Sequence, residues 1–370
     1  MYERLALEQL VPGDVSARPP AARYSGRFER WEQLASVRRR PRRLLAADSE
    51  LYFPPELHPV VGHPLVAARG EQVVRTLLLY RLYDYLNFTV ELESLAVIPV
   101  ATAVARGKSG LHLPEQMRAD AFKIVTDEAW HAQFSYDFAC QVEVVSGVSS
   151  RDSPTPPAFA RRLDELREVL PPELRGLESL LFAIVSETLI SGILSDIPRD
   201  TRLAQPVRDL VRDHAEDEGR HHIYFRSVLK HLWPALTARE RSAVGPHIPA
   251  AIFSFLEPDY AQLAVRLASV GLTAAETEQV IAESCPAEEL SRSVAQAASP
   301  AVRYFAEIGA LDEDRTRDAF AGAGLHPPLD AAARTARNAR PAPAEPTDHR
   351  TEPRTRHRDH AEENESRECA

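Results

Sequence analysis

Cysteine and lysine are both nearly missing from this 370-residue chain, and each shortage closes off a class of reading. Cys140, Cys285 and Cys369 are scattered and odd in number. They build neither a disulfide framework nor a Cys-x-x-Cys metal knuckle, so a reducing cytoplasm is the expected compartment. Lysine occurs only at Lys108, Lys123 and Lys230; arginine carries the basic charge, a skew of base composition without mechanistic weight. Positive charge is in deficit overall: the formal net charge of −10 disfavours general nucleic-acid binding. The local exception, Arg38–Arg43, reads as a solvated basic arm, with a site for an acidic partner as the alternative. There is no sustained period-two alternation and no Gly-rich phosphate loop. The start, MYERLALEQL, lacks the basic-then-apolar pattern of a signal peptide. No apolar run is read as approaching the ~20 residues that span a bilayer.

What is present is helix. The apolar fraction of 44 % supports a core, and the middle of the chain is rich in Ala and Leu. Residues 71–107 form a long apolar-periodic stretch with a kink expected at Pro99. Further helices are expected from Pro114 to about Ser146, closed by Gly147, from Pro171-Pro172 to about Leu194, and from Pro206 to about Leu232, before Pro234. Others follow at 249–270, 273–283 and 287–309. The flanks differ: residues 1–60 read as a partly helical N-terminal arm, best patterned over Arg27–Ser36. Residues 326–370, polar and Pro-rich, read as a disordered tail. The fold class is all-α, with the folded domain over 61–325.

Glu-x-x-His occurs only twice, as Glu128/His131 and Glu218/His221. Residues three apart share a helix face, so each pair can offer a carboxylate oxygen and an imidazole nitrogen to one ion. Both pairs interrupt apolar stripes (Met117, Ala121, Ile124 before the first; Val207, Leu210, Val211 before the second). A bare carboxylate on a core face is costly, and a dication compensates it.

Two other apolar helices each carry one acid, Glu93 and Glu187, 35 and 31 residues before the following Glu-x-x-His glutamate. This twofold repeat matches the ligand set of ferritin-like di-metal carboxylate bundles. Oxygen and imidazole ligands without thiolate suit iron or manganese, and O2 chemistry points to iron. Glu91 competes with Glu93, and Glu187 could instead be a buried acid paired with an arginine. His214 alone would read as a core histidine; lying four residues before Glu218 and seven before His221, it joins the candidate ligands. His222 points about 100° away from His221. Asp127 and Asp217, each just before a candidate glutamate, could hydrogen-bond an imidazole of the opposite helix or be solvated acids.

The ordered set Glu93, Glu128-x-x-His131, Glu187, His214-x-x-x-Glu218-x-x-His221 resembles the para-aminobenzoate N-oxygenases, the AurF-like non-haem di-iron arylamine oxygenases. The extra histidine, here His214, is what that family adds to the generic ferritin-like set. The resemblance covers roughly residues 65–310. It implies a ferritin-like four-helix bundle with flanking helices, two iron ions, O2 as co-substrate and an external electron donor such as a reductase. It also implies oxidation of a small aromatic amine to hydroxylamine, nitroso and nitro products in secondary metabolism, by a homodimer. Arg292 and Arg303 are its candidates for holding a substrate carboxylate, and Tyr85 for an active-site tyrosine, with a core tyrosine as the alternative. Two rivals stand beside this reading: a di-iron hydroxylase of an amino-acid or acyl substrate on the same scaffold, and a ferritin-like iron-storage protein.

Overall fold

The computed structural model describes residues 24–49, 51–150 and 157–327, and among them every regular element is helical. The expected tail falls, from residue 328 on, outside the described residues, as do positions 1–23 of the arm.

Four long helical stretches make the bundle. The first comprises α4 (Glu71–Leu92), a π-helical turn over Glu93–Val97 and α5 (Ile98–Ala105). Then come α6 (Glu115–Ser146), α8 (Leu177–Ile193) and α9 (Gln205–Ala235). The first stretch packs along α6 and α8 along α9, while contacts of α6 with α9 and of α8 with the π-turn join the two pairs. The helix departs from α geometry just before Pro99: Ile98 N–H bonds back to the Glu93 carbonyl, five residues earlier. Such turns insert one extra residue and recur at functional sites.

Helix ends follow their local chemistry. Gly147, at φ 69°, closes α6 in the left-handed region that glycine adopts without strain. The Pro171-Pro172 start is corrected. Pro172–Leu174 forms a separate 3-10 turn, and α8 begins only after Gly176, whose φ of 109° breaks the path. The single helix expected over 249–270 is two, α11 (Ile248–Leu256) and α12 (Tyr260–Ser269). Glu257, preceding Pro258, is forced extended. Asp259 then caps α12 by accepting from Gln262 N–H at 3.0 Å. Helix α9 runs through Pro234 to Ala235, because a proline in the final turn disturbs little beyond it.

The stretch Glu71–Ala105 is, by length and composition, long and apolar enough to cross a membrane, against the reading of the sequence. Its most apolar window is 56 % buried inside the protein, as a core helix would be. Around the bundle sit α7 (Ala158–Val169), α10 (Ala238–Val244), α13 (Ala274–Ser284), α14 (Ala287–Glu307) and α15 (Asp314–Gly322). Helix α12 docks on α4 through Arg266, only 2 % exposed, which donates to Asp84 at 3.1 Å.

The basic arm is fastened to the bundle, although Arg38, Arg39 and Arg42 stay exposed to solvent. Arg42 grips Asp137 of α6, and Arg40 and Arg43 grip Asp213 of α9. Phe28, Trp31, Ala35, Leu45, Tyr52 and Phe53 are buried in the same core as the bundle. Within this segment lie the short helices α1 (Trp31–Leu34) and α2 (Ser36–Arg39), and α3 (Pro64–Ala67) leads into α4. Residues 24–45 are therefore a strap laid across α6 and α9, which supply the carboxylates the arginines need.

Candidate metal centre

Each long helix delivers polar groups to one interior point. Glu128 and His131 lie one turn apart on α6, His214, Glu218 and His221 follow one face of α9, Glu187 sits mid-way along α8, and Glu93 opens the π-turn. All seven are 0 % exposed. Their donor atoms fall into two groups, Glu93 with His131 and His214, and Glu128 with Glu187, Glu218 and His221. Within each group the atoms lie within 4.8 Å of one another. Glu91 is only half-buried and belongs to neither group.

Glu128 and Glu218 stand between the histidines. Glu128 reaches Nδ1 of His131 with one oxygen and Nδ1 of His221 with the other, each at 2.7 Å. Glu218 Oε1 lies 3.3 Å from His131 Nδ1, 3.2 Å from His214 Nε2 and 3.4 Å from His221 Nδ1.

Many of these buried atoms nevertheless lack a properly directed hydrogen bond: both oxygens of Glu93, Glu187 and Glu218, Glu128 Oε1, His214 Nε2 and His221 Nδ1. They are close enough for ion pairing but aimed at a common space instead of at one another. Unsatisfied polar atoms at this depth are expensive.

The electrostatics carry the same message. Burial, then the charges of Glu128, Glu187 and Glu218, hold the Glu93 carboxyl well above the usual carboxylate range. Burial, then Glu218 and Glu128, do the same to Glu187. Burial opposes ionisation of Glu218 too, but His221, His131 and His214 outweigh it and hold this acid well below that range. Four carboxylates share the site with three imidazoles; two dications would balance the four negative charges and satisfy the orphaned oxygens. The donor set therefore fits a pair of hard or borderline metal ions.

The outer nitrogens are pinned crosswise. Nε2 of His131 meets Asp217 of α9 at 3.1 Å, and Nε2 of His221 meets Asp127 of α6 at 3.1 Å. Each aspartate, itself fully buried, thus steadies the imidazole of the opposite helix and leaves Nδ1 facing the carboxylates. Nδ1 of His214 meets the hydroxyl of Tyr85 at 3.1 Å, so Tyr85 touches a candidate ligand from α4. Phe134 stands edge-on to His214, and Phe28 stacks parallel to His221 at 6.2 Å.

Other singled-out residues lie apart. His222 hydrogen-bonds Tyr304 at 2.7 Å. Arg292 and Arg303 are exposed on α14, and neither bonds any candidate ligand among the described residues. Arg303 instead lies over the Tyr304 ring. What the sequence reading missed is the strap's own share: Trp31 Nε1 donates to both Asp127 oxygens at 2.9 Å, and the Ser36 amide donates to Asp217 at 3.1 Å. Arg220 also binds Asp217. The one available signal was the arginine cluster opposite acid-rich α9.

A curated relative, 4-aminobenzoate N-oxygenase of Streptomyces thioluteus, is 24 % identical over 226 residues, 60 % of this chain and 67 % of its own length. The family described as P-aminobenzoate N-oxygenase AurF matches residues 39–309, which take in the strap from Arg39 onward and all seven converging side chains. On that match, spanning well over half its length, the chain belongs to the AurF family of N-oxygenases.

Proposed function

We propose that this protein is an O2-dependent di-iron N-oxygenase that converts a small aromatic amine to its hydroxylamine and onward to nitroso and nitro products. The observation that carries the reading is the set of seven buried side chains that converge in two adjoining groups, six of them with unsatisfied polar atoms. Family membership and the Streptomyces relative, named for the same chemistry on 4-aminobenzoate, support the choice of reaction.

Two iron ions held there would supply the activation of O2. Glu93, His131 and His214 would hold one ion and Glu187 and His221 the other, with Glu128 and Glu218 between them. Asp127 and Asp217 keep His221 and His131 in a fixed orientation and tautomer, each taking the Nε2 proton in a hydrogen bond. Phe28 and Phe134 cover the imidazoles and keep bulk water from them. Formation of a hydroxylamine from an arylamine and one O2 consumes two electrons and two protons and releases one water. An external reductase is the proposed electron source.

The test is reconstitution of the full chain with ferrous iron, followed by O2 and a panel of arylamines with mass spectrometry of the products. Two irons per chain and N-oxidised products are expected. Iron uptake with carbon hydroxylation would replace this reading by a hydroxylase, and loading far above two irons would replace it by storage.

A further inference from the structure

We propose that the N-terminal strap, residues 24–45, is a working part of the metal centre. Trp31 and Ser36 act as positioning residues for the two imidazoles, each through one aspartate. The inference rests on the reading of the seven side chains as a two-metal site and extends it to residues outside the bundle.

The strap reaches each half of the centre through one hydrogen-bonded aspartate, besides the Phe28 ring stacked on His221. Trp31 Nε1 donates to Asp127, which holds His221. The Ser36 backbone amide donates to Asp217, which holds His131. Two chains of three groups therefore run from one short segment to two different candidate ligands. Both aspartates are fully buried, and a buried carboxylate keeps its direction only through its donors. Without Trp31, Asp127 retains among the described residues His221 as its one close side-chain donor, with Arg220 at 4.0 Å.

The strap is fastened on both sides of these bonds. On α6, Tyr24 donates to Asp120 at 3.0 Å, Lys123 to the Phe28 carbonyl at 3.2 Å, and Arg42 to Asp137 at 2.7 and 2.6 Å. On α9, Arg43 donates to Asp213 at 2.8 Å and Arg40 pairs with Glu216. Arg38 lies 4.6 Å over the Trp31 ring. A segment serving only to cover apolar surface would not need its indole and amide donors aligned on these two carboxylates.

The test uses the full chain with Co(II) as the probe, in Trp31→Phe and Ser36→Pro variants. The first keeps an aromatic ring and removes the indole N–H. The second removes the amide proton, together with a buried hydroxyl that makes no hydrogen bond among the described residues. It does so at the first position of α2, where proline is tolerated and the preceding Ala35 is already extended, at φ −61° and ψ 137°. Ser36→Ala is the control for the lost hydroxyl.

Each variant is expected to bind Co(II) roughly 10-fold more weakly at one of its two sites. It should also move or lose one exchangeable imidazole N–H signal in the paramagnetic NMR spectrum, that of His221 for Trp31→Phe and that of His131 for Ser36→Pro. Folded variants with wild-type affinity at both sites and unmoved signals would overturn the proposal, as would both signals moving together in each variant. Should Trp31→Phe not fold, Ser36→Pro carries the test alone. A wild-type chain that takes up no Co(II) overturns the two-metal reading and this inference with it, an outcome distinct from two ions bound equally by all three proteins.

Discussion

The hydroxyl of Tyr85 meets Nδ1 of His214 at 3.1 Å, wholly inside the bundle, and turns the other ring nitrogen toward Glu218 and Glu93. His214 belongs with Glu93 and His131 in one of the two groups of donor atoms. Replacing it with Ala is expected to release the ion of the Glu93–His131 half first, measured as metal per chain after dialysis. Equal retention of both ions with normal turnover would count against the assignment.

Tyr85→Phe leaves the imidazole in place but removes its partner. It should weaken the same half by a smaller factor than His214→Ala. A cost of about 1 kcal/mol in apo-protein stability is expected from the lost hydrogen bond. Denaturant titration and metal competition on one sample measure both. Metal loss beyond that of His214→Ala would show that the hydroxyl does more than orient the ring.

His58 supplies a pH signature away from the centre. Burial, then the nearby charge of Arg81, pushes its imidazole down to about 3. The folded state thus disfavours the protonated form. Stability is fully present above the unfolded value near 6.5 and is lost as pH falls below it toward about 3. Between pH 7 and 5 this residue alone should cost about 2 kcal/mol. His58→Gln is expected to flatten that part of the profile in denaturant titrations, and an unchanged slope would refute the assignment.

Arg266 and Asp84 tie α12 to α4 in a nearly covered position, with the guanidinium 4.5 Å from the Tyr80 ring centroid. Arg266→Ala strips Asp84 of its main counter-charge and removes the packing on Tyr80. A loss of roughly 3 kcal/mol is expected by chemical denaturation. A change within the error of the titration would mean that solvent reaches Asp84 freely.

Helix content and the converging residues were legible because both rest on spacing along one helix. Glu128 and His131 share a face by simple periodicity, and the interrupted apolar stripe marks that face as interior. Two features were not legible. The path from Arg38 to Arg43 has no periodicity, and its charge became a surface fastening only once Asp137, Asp209 and Asp213 were brought opposite it by α6 and α9. Trp31 carried no signal either, since its partner Asp127 lies 96 residues away. Helix boundaries slipped where Gly176 and Pro258 broke runs whose composition looked continuous.

The π-turn at Glu93–Val97 sets a rule for anyone rebuilding this bundle. One surplus residue there shifts the angular register of everything beyond it by about 100° relative to an ideal helix. A single-residue deletion within 93–97 would restore regular winding and rotate one side of the junction against the other. Either Glu93 would leave the interior or the apolar face of α5 would turn from α6. Templates that thread this helix as uninterrupted α will therefore aim the wrong side chain inward, even with every residue correctly aligned.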